Sequence, residues 1–412
     1  MRILVESPNC NALEGSNAAV GYGWIRALSR LHELHVVTYG SNYDRGHVAG
    51  APALPNVHPI RLQPSRAAKL GSMFDFVLTA RRQRDRLIRS LRPDIVHSLE
   101  PAGWMGPRAL STSAVPYVLG PLNGGSIQPP RAFAVEVLEN LPVKPAQSLV
   151  RQGPRKLAVT LANEFTFGDT RTAHVLARRA MRRARRIVLG TDLTAGAFPP
   201  GLAGRVVRIP TQGIDLHRFS PKPRRSHEGP LRVIYAGRIT AWKGLHLLIR
   251  AIAASPAHLT IYGGSTPQER WYEEHCRRSI DDLGAQERIL WIGSVERDQL
   301  AEAYAEADVF AMLSLWEPFA TTWIESMACG TPIIGLATGG MVEALRGQDA
   351  GWLIEPTTEA DVVDRTTVLL DRLSHDKEEV RRAGDLARRI AEEQHSWERL
   401  AERMDAVYRD VT

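Results

Sequence analysis

The feature that most restricts this 412-residue chain is a rhythm. Short β-branched and aliphatic runs, RILVE (2–6), LHVVTYG (34–40), DIVHSL (94–99), YVLG (117–120) and RIVLG (186–190), alternate with amphipathic stretches such as 17–31 and 75–91. Apolar runs that are buried on both faces of a sheet need helices on each side, so the alternation predicts parallel strands with helical crossovers. The rhythm stops at FSPKPRRSHEGP (219–230), where three prolines, three positive side chains and no apolar periodicity predict a linker. It then restarts with LRVIYAG (231–237), HLTIYGG (258–264), RILWIG (288–293), ADVFAML (307–313) and TPIIGL (331–336). The expected architecture is α/β, with two Rossmann-like doubly wound domains: residues 1–218, the linker 219–230, and residues 231–385. A strongly amphipathic last helix, from about 380 to 409, is expected, with the C-terminal segment 386–412 crossing back to the first domain. The stretch 121–170, rich in Pro and Gly at its start, is expected to supply a mobile cover over one substrate.

Composition narrows the function classes. At 44% hydrophobic and 24% charged the chain is of ordinary globular type, not a disordered tail protein. Cys10, Cys276 and Cys329 lie far apart with no CxxC pair, which argues against a zinc knuckle and against a secreted disulfide framework. No run of 18 apolar residues occurs and MRILVE opens directly into a strand, so a cytoplasmic location is expected. The net charge of +7 hides a split: residues 1–220 hold 29 Lys+Arg against 14 Asp+Glu (+15), and residues 221–412 hold 23 against 31 (−8). Much of the excess is Arg178, Arg179, Arg182, Arg183, Arg185 and Arg186. These read first as a solvated helix face; they also permit weak peripheral contact with an anionic membrane. Nucleic acid is not expected as a partner, because no recognition helix, zinc finger or stacking aromatic accompanies them.

Two-domain sheets of this kind bind ligands beyond the carboxyl ends of their strands, so chemistry is sought there. After the strand at 307–313 comes Glu317-Pro318-Phe319-Ala320-Thr321-Thr322-Trp323-Ile324-Glu325, two carboxylates flanking a helix start whose free N–H groups suit phosphate or sugar oxygens. Glu325 has a structural alternative, since Thr322-Trp323-Ile324-Glu325 has the form of a capping box. After the strand at 231–237, Gly237, Arg238 and Lys243 place two cations around a short turn, where they suit a diphosphate held without metal. Gly339-Gly340-Met341-Val342-Glu343 puts a further glycine turn and carboxylate at the same edge.

Together, GRITAWKG, EPFATTWIESMACGTPIIG and TGGMVEAL, in this order and spacing, resemble the retaining nucleotide-sugar glycosyltransferases of family 4. The match is close over about 231–355 and more scattered before that, at EGS (14–16), PDIVHSLEP (93–101), GPLNGG (120–125) and IPTQGIDLHRFSP (209–221). The resemblance implies the GT-B fold, two Rossmann-like domains facing across a cleft, with the donor held by the second domain and the acceptor mainly by the first. It implies that Arg238 and Lys243 contact the donor diphosphate, Glu317 the donor sugar and Glu325 the ribose. Arg238, Lys243 and Glu317 are therefore the catalytic candidates. Gly15, Ser16, Gly237, Phe319, Ala320, Thr321 and Glu325 join them as donor-binding candidates, while His97 and Asn123 are the acceptor-side candidates.

The chain departs from the family pattern in three places: Leu99 stands where a second histidine is common, Ala320 follows Glu-Pro-Phe where glycine is usual, and Gly15-Ser16 replaces Gly-Gly. What is expected is a metal-independent hexosyltransferase without cofactor, whose substrates are a nucleotide-diphosphate sugar, a UDP-sugar first, and a small polar acceptor such as an aminocyclitol. The alternatives are transfer to a polysaccharide or membrane glycolipid, a nucleotide-sugar epimerase of the same fold, and a non-catalytic sugar-nucleotide-binding or membrane-scaffold protein. No Asp-x-Asp, third glycine of a GxGxxG or GxxxxGK[ST] loop supports a rival chemistry.

Overall fold

The computed structural model describes residues 1–8, 10, 17–39, 54–63, 72–99, 108–122, 131–141, 171–192, 194, 200–222, 229–317, 319–345 and 347–412. The chain divides into two compact units. The first comprises residues 1–126, 150–213 and 397–412; the second comprises 127–149 and 214–396.

In the first unit β1 (Arg2–Glu6), β2 (Glu33–Tyr39), β3 (Val57–Leu62), β4 (Ile95–Ser98), β5 (Tyr117–Leu122), β6 (Arg186–Leu189) and β7 (Val206–Arg208) form one parallel sheet, in the order β3-β2-β1-β4-β5-β6-β7. In the second, β8 (Arg232–Ala236), β9 (His258–Tyr262), β10 (Ile289–Gly293), β11 (Val309–Met312), β12 (Ile333–Leu336) and β13 (Gly351–Ile354) are ordered β10-β9-β8-β11-β12-β13, again all parallel. Both sheets are α/β and doubly wound, and both reverse direction between two central strands, β1 and β4 in one and β8 and β11 in the other. At such a reversal the loops leaving neighbouring strands diverge and open a crevice.

Every strand read from the sequence is present. The strands it did not show, β3, β7 and β13, all lie at sheet edges. There a strand is covered on fewer sides, and its residues are mostly half-buried instead of forming an apolar run. Pro59 sits in β3, where an edge tolerates a missing donor.

The first unit's core lies on both faces of its sheet. One face is filled by the helix Asn17–Leu28 together with the helix Trp397–Val411, whose Leu400, Met404 and Tyr408 are buried among Val20, Trp24 and Leu28. The other is covered by the helices Ser72–Leu91 and Arg171–Arg183 through Phe76, Ala80, Ala177 and Met181. The long last helix expected from the sequence is two helices, Lys377–His395 and Trp397–Val411. Ser396 between them is extended (φ −65°, ψ 139°) and ends the first before Trp397 begins the second. The chain passes from the first unit to the second at 213/214 and returns at 396/397, so residues 219–222 and 229–230 and the segment 386–396 belong to the second unit.

A first-half segment also belongs to the second unit. The helix Arg131–Glu139 buries Phe133 and Val137 in that unit's core, and Asn140 Nδ2 donates to Glu359 Oε2 at 2.8 Å. Within 121–170, where a cover was expected, residues 123–130 and 142–170 lie outside the described residues. No described helix is long and apolar enough to cross a membrane. The three cysteines are buried and unbridged, with burial pushing the thiols of Cys10 and Cys276 up to about 12.

Candidate active site

The second unit's candidate residues gather on the loops that leave β8 and β11, the neighbouring strands at its reversal point. β8 runs into Gly237 and Arg238, then a 3-10 turn Ala241–Lys243, then Gly244 and the helix Leu245–Ala253. Gly244 is left-handed (φ 62°), and a Cβ there would run into the carbonyl oxygen of Leu313. The bare backbone thus lets the β8 loop lie directly on the β11 loop, where Leu315 N–H donates to Trp242 O at 2.8 Å. A third loop closes the frame. Gly340 N–H donates to Glu317 O at 2.9 Å, Thr338 Oγ1 donates to Ser314 O at 3.0 Å, and a Cβ on Gly339 (φ 54°) would collide with Glu317 O. Glu317 is held through its backbone carbonyl by this third loop.

On this frame Lys243 Nζ donates to Glu317 Oε2 at 2.7 Å, with only 14% and 21% of the two side chains exposed. The half-buried pair is a preformed charge couple, with donor capacity on the ammonium and acceptor capacity on the carboxylate to spare. Arg238, five residues before Lys243 in the same connection, is exposed. Its carbonyl accepts a 3.0 Å hydrogen bond from Tyr235 Oη, whose fully buried phenol is pushed well above its ordinary pKa by desolvation.

The helix Thr321–Ala328 starts after Ala320, which is extended and buried. Glu325 is therefore its fifth residue, too far along for the capping box, and its carboxylate takes another partner: Arg297 Nη2 donates to Oε1 at 2.8 Å. Burial pushes the Glu325 carboxyl above the usual range, and the Arg297 guanidinium opposes that shift. Thr321 is half-buried at the helix start. Phe319 turns inward, its ring 5.6 Å from Trp323 and 5.4 Å from His395, so it shapes the loop from beneath.

Gly237, Arg238, Lys243, Glu317, Phe319, Ala320, Thr321 and Glu325 are thus all borne by these two strand-to-helix connections. Gly15, Ser16 and Asn123 lie outside the described residues, as does Pro318. His97 departs from its expected place beside an acceptor. It has no exposed surface, Nδ1 lies 2.6 Å from Tyr408 Oη, and Nε2 is hydrogen-bonded to Gly120 O. Desolvation lowers its pKa to about 4, so it is a neutral brace between β4, β5 and the last helix. Arg297 and Tyr235 are the site residues that sequence reasoning missed. An arginine at a helix start and a tyrosine in a buried strand carry no functional signal; Tyr235 is three residues from Arg238 in the same stretch, whereas only the fold brings Arg297 to Glu325.

Comparison with known proteins agrees with this geometry. Residues 218–390 match the family model of glycosyl transferases group 1. D-inositol 3-phosphate glycosyltransferase of Mycolicibacterium smegmatis is 30% identical over 168 residues, 39% of each chain, and that of Corynebacterium urealyticum 24% over 283 residues, 63% of this chain and 65% of that one. The chain therefore spans between about one third and just under two thirds of the length of such curated relatives. Among solved structures, sucrose-phosphate synthase from Thermosynechococcus elongatus superposes with a TM-score of 0.68 at 18% identity, over 99% of this chain and 98% of that one. Anabaena Alr3699/HepE in complex with UDP gives 0.62 at 16%, over the whole of both chains. The fold is that of GT-B glycosyltransferases, and residues 218–390, which carry the site just described, are similar to the glycosyl transferases group 1 family.

Proposed function

We propose that this protein is a cytoplasmic, metal-independent glycosyltransferase of family 4 that moves a sugar, with retention, from a UDP-sugar to a hydroxyl of a small polar acceptor. The observation that carries the reading is the Lys243–Glu317 couple, on the connections that also bear Arg238, at the reversal point of the sheet in the segment that matches the family. The names of relatives support the substrate classes: an inositol phosphate points to a cyclitol-like acceptor, and UDP or UDP-glucose in structural neighbours points to the donor nucleotide.

In this reading Lys243 and Arg238 bind the donor diphosphate and stabilise the charge that grows on it as the bond from the anomeric carbon to the phosphate oxygen breaks. Glu317 turns its free acceptor capacity to a sugar hydroxyl, which orients the ring. Glu325, paired with Arg297, receives the ribose hydroxyls. The acceptor oxygen bonds to the anomeric carbon on the face the phosphate leaves, and its proton passes to the departing phosphate oxygen. No protein nucleophile is consumed.

The test is a donor screen by nucleotide release in the presence and absence of cyclitol acceptors, followed by NMR of the product. The expected product keeps the anomeric configuration of the donor sugar, and release depends on acceptor. An inverted product overturns the mechanism. Turnover of the donor sugar to its epimer without acceptor favours the epimerase instead.

A further inference from the structure

We infer that Glu33, His35 and His58, in the first unit, form a divalent transition-metal site of the two-imidazole, one-carboxylate type that suits Zn2+. Glu33 and His35 are two residues apart on β2 and so project from one face of the sheet. His58 on β3 lies directly opposite His35 in the parallel register. The two rings stack with centroids 4.8 Å apart and planes 25° from parallel. Both turn a nitrogen to the same oxygen: His35 Nε2 is 3.0 Å and His58 Nε2 3.8 Å from Glu33 Oε1.

The three ligand atoms all lie within 4.8 Å of one another. Around a tetrahedral ion with bonds of about 2.0–2.1 Å, ligand atoms stand roughly 3.3 Å apart, so capture needs only small side-chain rotations. The arrangement supplies both the mobility and the anchor for this. The His58 side chain is 56% exposed and free to adjust, whereas that of His35 is 13% exposed and held in the sheet. Arg2 Nε lies 3.3 Å from both Glu33 oxygens and also competes for the carboxylate. A carboxylate has about four lone-pair positions, so Oε2 keeps the arginine while Oε1 takes the ion.

The cluster sits at the amino ends of β2 and β3, whereas sheets of this kind bind substrates at the carboxyl ends. Among the described strands β3 is at the edge of the sheet, and an ion here would clip it to its neighbour β2. The role is therefore structural, and the inference stands apart from the glycosyl-transfer reading.

The experiment is calorimetric titration of the full chain with Zn2+ alone after chelator treatment, together with thermal melts. One equivalent is expected to bind in the micromolar range and to raise the melting temperature. His35→Ala and His58→Ala should each weaken binding about tenfold or more, no less than the loss of an outer-sphere partner costs a metal site. His258→Ala, at an exposed histidine of the second unit, should leave it unchanged. His58→Ala removes an exposed side chain and should keep the circular dichroism of the parent. Absence of saturable binding, or His58→Ala binding within about twofold of the parent, overturns the site.

Discussion

At the scale of single residues, charge placement makes sharp predictions. Lys243→Ala removes the ammonium from its couple with Glu317 and, in the proposed mechanism, from the leaving diphosphate. Loss of such a charge-assisted contact costs about 2–4 kcal/mol in the transition state, so turnover should fall about 30- to 1,000-fold. A rate within about threefold of the parent, measured by nucleotide release, removes Lys243 from the diphosphate. Glu325→Gln keeps an acceptor for Arg297 and discharges a buried carboxylate, so the melting temperature should barely move. Nucleoside diphosphate binding should nevertheless weaken by about 1.5–3 kcal/mol, because an amide offers a donor where the ribose needs an acceptor. An unchanged dissociation constant in calorimetry separates Glu325 from the ribose. The histidines set an acid limit on stability. His97 and His246 are held neutral by burial, with pKa values lowered to about 4 and about 3, against about 6.5 in an unfolded chain. The unfolded state then binds protons that the folded state refuses, so stability is full above about pH 6.5 and falls as the pH drops toward 4. By linkage His97 alone withdraws about 2 kcal/mol by pH 5, and urea unfolding of His97→Gln should show a visibly shallower pH dependence.

At the scale of elements, the strand-to-helix loops of the second unit are fitted to one another through bare backbone. Gly244→Ala forces a side chain into a left-handed residue and against the carbonyl of Leu313. A destabilisation of at least about 1–3 kcal/mol is expected, read as a lower urea midpoint, together with weakened nucleotide binding as the Lys243 turn is pushed off the β11 loop. The connection-level motifs were legible in sequence because each is continuous: a strand, a glycine and a charged turn within a dozen residues. The Arg297–Glu325 pair was not, since its members are 28 residues apart on different helices. The edge strands β3, β7 and β13 were equally silent, because what makes a run apolar is cover on both faces, and edges lack part of it.

At the scale of the whole molecule, neither unit is a continuous stretch of chain. The first unit's core is completed by the last residues, with Trp397 edge-on to Trp24 at 5.7 Å and Leu400, Met404 and Tyr408 buried. A fragment ending at residue 213 should therefore fail to melt cooperatively by circular dichroism. Within the full chain, Met404→Ala should cost about 2–5 kcal/mol of stability in urea unfolding. A cooperative, parent-like melt of the 1–213 fragment would show that the last helix is dispensable to that core. The amino-acid sequence by itself determined two parallel α/β sheets and the placing of Arg238, Lys243, Glu317 and Glu325 just beyond strands, because hydrophobic period and turn chemistry act between near neighbours. Only the tertiary structure decided which charges meet, that Phe319 turns inward, that His97 is locked against Tyr408, 311 residues away, and that Trp397–Val411 and Arg131–Glu139 complete cores far from their neighbours in sequence. Those outcomes rest on burial shared between distant segments, and no local pattern of residues encodes which distant segment supplies the other half of a core.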